Sequence, residues 1–91
     1  MSGYCLWRNN NGAVYSLKRK TFLKNPSHKR GIPDIIGYRK LDGKAVYLEV
    51  KTGKDDLSDE QECFLRDAEK CKCIVGVARN IEDAMKILNI K

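Results

Sequence analysis

The clearest pattern in the chain is the alternation at residues 45–51, Ala-Val-Tyr-Leu-Glu-Val-Lys. A period of two reads as a strand, with Val46, Leu48 and Val50 on one face and Ala45, Tyr47, Glu49 and Lys51 on the other. Residues 35–40 predict a second strand, joined to the first through a hairpin turn at Leu41-Asp42-Gly43-Lys44. Residues 4–8 and 13–18 predict two shorter strands, with Asn9-Asn10-Asn11-Gly12 as the turn between them. Residues 19–33 are basic and read as a loop, punctuated by Asn25-Pro26-Ser27 and Gly31-Ile32-Pro33. After a polar loop at 52–57, Ser58 followed three residues on by Gln61 forms a capping-box pattern. It opens a helix over 58–72, whose apolar stripe is Phe64, Leu65, Ala68 and Cys71. Residues 73–78 are almost wholly apolar, as expected of a strand covered on both faces. Asn80 caps a last helix with the stripe Ile81, Ala84, Met85 and Leu88.

The succession of strand 45–51, helix 58–72 and strand 73–78 is a β-α-β unit, so its two strands should run parallel. The earlier strands favour an antiparallel meander. The fold class is therefore α/β, a small mixed β-sheet flanked by helices. The length of 91 residues suits one domain over 1–91. No apolar run approaches the roughly 20 residues that span a bilayer. The opening residues lack the basic and apolar stretches of a signal peptide, so an intracellular, reducing compartment is expected.

Charge changes this picture. The net charge of +6 is unevenly spread. Residues 1–33 carry seven Lys/Arg and no Asp/Glu, whereas residues 34–91 carry eleven and twelve. A basic first third points to a polyanion, most often nucleic acid, over a merely solvated face. Lys18, Arg19, Lys20, Lys24, His28, Lys29 and Arg30 are the candidate phosphate contacts, with Lys54 beyond them. If seven bases met duplex phosphates, affinity would fall with a log–log salt slope near about −6.

The four cysteines, Cys5, Cys63, Cys71 and Cys73, do not have zinc-knuckle spacing, and His28 is remote from them. They read as small, half-buried apolar residues. Thr52-Gly53-Lys54 lacks the upstream glycine of a P-loop. Trp7 reads as core more readily than as a base-stacking residue.

Asp34, Glu49 and Lys51 carry the candidate chemistry. Glu49 and Lys51 are two apart on one strand and share a face. If strands 35–40 and 45–51 pair, Asp34 lies near the end that bears them. Two close carboxylates repel unless a cation joins them. Magnesium takes one or two carboxylates plus waters and a phosphate, and the Val50 carbonyl offers another oxygen. Manganese suits the same donors. A neighbouring lysine can orient water or offset charge in phosphodiester hydrolysis. Spacing alone also fits a cross-strand Glu–Lys pair worth less than about 1 kcal/mol.

Three segments together are more specific: Gly31-Ile32-Pro33-Asp34-Ile35-Ile36-Gly37, Tyr47-Leu48-Glu49-Val50-Lys51-Thr52 and Leu57-Ser58-Asp59-Glu60-Gln61. In order and spacing they resemble the VRR-NUC family of the PD-(D/E)XK nuclease superfamily, from about Trp7 to Leu88. The short chain resembles the stand-alone forms carried by bacteriophages, which implies the cytoplasm of a bacterial host. The resemblance implies a restriction-endonuclease-like core. It makes Asp34 and Glu49 metal ligands with the Val50 carbonyl, Lys51 the catalytic lysine, and Gln61 a motif glutamine facing the site. Many members also carry a glutamate on a helix before the first strands. No acid precedes Asp34 here, which points to a single metal or to a ligand from a partner subunit.

The expected function is a magnesium-dependent DNA endonuclease. It would be structure-selective on branched DNA, as Holliday-junction resolvases are, and would leave 5′-phosphate and 3′-hydroxyl ends. Symmetric cutting needs two sites, so a homodimer is expected, with Phe64, Met85 or Leu88 as candidates for its interface. The rival reading is a nucleic-acid-binding module with a degenerate nuclease site. An interaction domain unrelated to DNA would show no binding even at low salt.

Overall fold

The computed structural model describes residues 3–9, 14–23 and 31–90, and only the backbone at 14–16 and 21–23. Its elements are β1 (Tyr4–Arg8), β2 (Val14–Ser16), β3 (Thr21–Leu23), β4 (Ile35–Arg39), β5 (Ala45–Val50), α1 (Asp59–Lys70), β6 (Ile74–Ala78) and α2 (Ile81–Ile87). A four-stranded sheet runs in the order β1-β4-β5-β6, and β2 and β3 form a separate two-stranded ladder. β1, β4 and β5 are antiparallel neighbours, and β5 runs parallel to β6 around the α1 crossover. This is the small mixed α/β sheet with flanking helices that the hydrophobic pattern predicts.

Two expectations are corrected here. β1 does not turn back onto the next strand; it pairs with β4, while β2 pairs with β3. Gly37 opens the way for that pairing, because a Cβ there would collide with the Cys5 carbonyl and Leu6 backbone across the ladder. The second correction is β3 itself, which lies in a stretch read as loop. Thr-Phe-Leu is β-prone, but three residues between lysines are too few to show a period. The expected turn at 9–12 lies largely outside the described residues.

The β4–β5 hairpin closes as the sequence predicts. Gly43 adopts a left-handed φ of 73° and donates to the Arg39 carbonyl at 2.7 Å. Asp42 fixes the turn by accepting from Arg39 Nε at 3.0 Å and from the Lys44 amide at 3.1 Å. The guanidinium and that amide hold the Asp42 carboxyl down at about 2.

The core lies on the α2 side of the sheet. Val46, Leu48 and Leu88 are buried there, with Tyr4, Leu6, Ile35, Ile74, Ile87 and Ile90 packed around them. Tyr4 ties the last turn down by donating its hydroxyl to the Leu88 carbonyl at 2.6 Å. On the other side, α1 buries Leu65 and Ala68 and sets Phe64 edge-on against Tyr47, with ring centroids 5.0 Å apart. Asn80 caps α2 by accepting from the Asp83 amide at 2.8 Å.

Element ends depart from the expected stripes. Val50 and Ile81 are exposed, at the last residue of β5 and the first of α2. Cys71 is the C-cap of α1 rather than part of its buried stripe, and Cys63 lies on its exposed side. Only Cys5 and Cys73 are half-buried as expected. No described helix is long and apolar enough to cross a membrane.

Candidate active site

The polar face of β5 points under the first turn of α1, and three segments meet there. β5 supplies Glu49, which is only 2% exposed. Ile35 pairs with Leu48, so Asp34 falls next to Glu49 at the mouth of β4. The Asp34 side chain accepts a hydrogen bond from the Val50 amide at 3.0 Å. Its own carbonyl accepts from the Asn9 amide at 2.7 Å, which anchors the residue to the end of β1.

The Gly31–Pro33 segment delivers Asp34. Gly31 has a left-handed φ of 80°, and a Cβ on it would strike the Glu60 carbonyl of α1. Glycine answers both demands at once, since it adopts that φ without strain and leaves the close approach open. Pro33 is fully buried and wedges the segment in place.

Gln61 joins the site from α1. Its Oε1 accepts from the Ser58 amide at 2.9 Å, while Ser58 Oγ accepts from the Gln61 amide at 3.2 Å. This is the capping box that the sequence predicts. The other end of the same side chain, Nε2, donates to Glu49 Oε1 at 3.2 Å. The capping role and the site-facing role, separate readings of the sequence, coexist in one amide.

Glu49 Oε2 is buried and accepts no hydrogen bond. Leaving a carboxylate oxygen buried and unpartnered is costly. Burial first, and then the adjacent Asp34 carboxyl, push the Glu49 carboxyl up to about 7; the Lys51 charge opposes this less strongly. Lys51 itself is half-buried on the same face, and its side chain makes no hydrogen bond or ion pair among the described residues. The arrangement is a close carboxylate pair with one lysine on the same face. Its donors are hard oxygens, and one buried lone-pair set is unused, which fits magnesium or manganese. No cluster of three His, Cys, Asp or Glu side chains forms among the described residues, so these two carboxylates stand without a third.

The remaining sequence candidates are spread out. Val50 enters the site through its amide. Lys18, Arg19 and Lys20 are exposed in the turn between β2 and β3, and Lys54 is exposed in the loop after β5. Lys24, His28, Lys29 and Arg30 lie outside the described residues.

Sequence reasoning missed Arg79. Its Nη1 donates to the Gly53 carbonyl at 2.9 Å and so braces the loop that follows Lys51. The signal was available in the β-α-β unit, because the carboxyl ends of parallel neighbours share an edge of the sheet. Val50 pairs with Ala78, so whatever follows each strand must meet. Trp7 was also misplaced: it is half-exposed and stands edge-on to Tyr38 at 6.4 Å, not in the core.

Residues 5–80 match the family model of the VRR-NUC domain. The chain belongs to the VRR-NUC family. Comparisons with curated proteins and with solved structures gave no match. VRR-NUC is a nuclease domain, so the site where β4, β5 and α1 meet belongs to a nuclease-type domain. The VRR-NUC match spans all three segments that meet in it.

Proposed function

We propose that this VRR-NUC domain is a magnesium-dependent DNA endonuclease that hydrolyses phosphodiester bonds and prefers branched DNA. One observation carries the reading: a buried Glu49 oxygen with no hydrogen-bond partner, beside Asp34 and below Lys51. Asp34, Glu49 and the Val50 carbonyl would hold the metal, which supplies polarisation of the phosphodiester and a more acidic water.

The chain's own side chains do the rest. Gln61 Nε2 holds the Glu49 carboxylate by donating to its Oε1 and leaves Glu49 Oε2 available to the metal. Lys51, unpaired among the described residues, presents its ammonium to the scissile phosphate, where negative charge grows in the transition state. Arg79 positions the loop that carries Gly53 and Lys54 against the DNA backbone. The exposed bases Lys18, Arg19 and Lys20 add contacts to phosphates, which set affinity rather than sequence. Paired cuts at a four-way junction require two such sites, so the working form is a homodimer.

The test incubates the protein with a four-way junction, linear duplex and single strand, each with magnesium, manganese or EDTA. Metal-dependent junction cutting that is lost in Asp34→Ala and Lys51→Ala supports the full reading. Equal cutting of every substrate keeps the nuclease and removes the branch preference. Salt-sensitive binding with no cutting establishes the second reading, a binding module. The absence of a third carboxylate among the described residues favours that alternative.

A further inference from the structure

The β2–β3 ribbon is hydrogen-bonded to itself and not to the main sheet. Ser16 pairs with Thr21, so the turn between the strands is Leu17-Lys18-Arg19-Lys20. Leu17 is 84% exposed at that tip, and all three of its basic neighbours are exposed as well. Lys20 closes the turn in the left-handed region, with φ of 51°. Glycine or asparagine is the ordinary occupant of such a position. A lysine there adds a third cation to a tip that already holds two.

An exposed apolar side chain that shares a turn with three cations gains nothing from water in the free protein. It gains where a polyanion surrounds an apolar interior, and stacked base pairs between phosphate backbones have that form. Proteins that kink DNA insert leucine and similar side chains between base steps while cations hold the backbone. The molecule contains its own comparison. Leu41 is 88% exposed in the β4–β5 turn, but it stands beside Asp42, which is paired to Arg39. Single exposed leucines are ordinary on protein surfaces. Leu17 differs from Leu41 in that the other three residues of its turn are all basic.

We propose that Leu17 is a wedge that enters a base step of DNA, with Lys18, Arg19 and Lys20 gripping the phosphates around it. The proposal rests on the nuclease reading for its choice of DNA, and it supplies a physical basis for branch preference. Base pairs at a branch are already poorly stacked, so a wedge enters there at the smallest cost.

The test uses the full chain in EDTA, so that no cutting occurs. The probe is a four-way junction with 2-aminopurine at the branch, beside a linear duplex with 2-aminopurine at mid-length. Binding of the wild type is expected to raise the junction fluorescence several-fold through unstacking. Leu17→Ala should lose most of that rise while keeping affinity within about threefold, and Leu17→Phe should retain it. Leu41→Ala should match the wild type. Changing Lys18, Arg19 and Lys20 together to alanine should weaken binding to both DNAs and flatten the log–log salt slope by about 2–3. Equal fluorescence from Leu17→Ala and Leu41→Ala overturns the wedge. So does Leu17-dependent binding to anionic phospholipid vesicles without any effect on DNA. A wild type that unstacks the junction in EDTA but never cuts it with magnesium keeps the wedge and overturns the nuclease reading. The reverse result, junction cutting with no effect of Leu17→Ala on fluorescence or branch preference, does the opposite.

Discussion

The two faces of β5 are built from alternate residues of one strand, yet they obey opposite rules. Val46 and Leu48 face α2 and are packed among apolar groups with nothing polar left unmet. Tyr47, Glu49 and Lys51 face α1, where a carboxylate oxygen is buried without a partner and an ammonium stands unpaired among the described residues. The first face stabilises the fold, and the second spends some of that stability to hold charges in place. A strand serves both ends because its side chains alternate, so neither task disturbs the other.

The strongest way to break the contrast is to alter the chemical face alone. Asp34→Ala and Lys51→Ala are expected to lower junction cutting by about a thousandfold, read in an initial-rate assay, because the first removes a proposed metal ligand and the second removes the cation proposed to face the reacting phosphate. Neither should lower thermal stability appreciably. The apolar face should answer the opposite way. Leu48→Ala is expected to cost about 3 kcal/mol in denaturant unfolding, from lost burial and an unfilled cavity. Cutting per folded molecule should hardly change.

Glu49 sharpens the comparison through pH. Its folded carboxyl titrates near 7, above the ordinary value of about 4.5. A raised folded pKa means that the contribution of Glu49 to the stability of the metal-free protein is fully present below about 4.5 and is lost as pH rises through about 7. Glu49→Gln should abolish that decline and leave the metal-free protein more stable at pH 8 by about 2 kcal/mol, measured by urea titration across pH. Magnesium should stabilise the wild type at pH 8 and leave this variant unmoved. Gln61→Ala should cost about 1 kcal/mol of stability through the lost cap. It should also slow cutting about tenfold. Arg79→Ala, which touches only the loop after Lys51, should have the smallest effect, a few-fold on cutting, with KM moving more than kcat.

What the sequence made legible follows from how far each signal reaches. The β4–β5 hairpin, the parallel β5–β6 pair and both helix caps are written in local periods and caps, and they stand where those signals place them. The pairing of β1 with β4 depends on residues about thirty apart in sequence and on the missing Cβ of Gly37. No local pattern encodes that. Strand β3 is too short for a period. Val50, Ile81 and Cys71 belong to apolar stripes but sit at element ends, where no neighbouring layer covers them. For the site, strand alternation already set Glu49 and Lys51 on one face, and hairpin register brought Asp34 beside them. That Gln61 reaches Glu49 while still capping its helix is a matter of side-chain geometry that spacing cannot express. Arg79 follows from topology rather than from any motif.

The glutamine at position 61 also limits what this scaffold accepts. One end of its side chain must accept a hydrogen bond from the Ser58 amide, and the other must donate one to Glu49. A glutamate would complete the cap and then set a third negative charge beside Asp34 and Glu49. A lysine would satisfy Glu49 and leave the Ser58 amide without its partner in the capping box. A carboxamide of this length is ambidextrous, so the start of α1 and the orientation of Glu49 are fixed by a single rotamer. The start of the helix and the seating of the buried carboxylate thus share one hinge pin, so fraying of the first turn of α1 would also release Glu49.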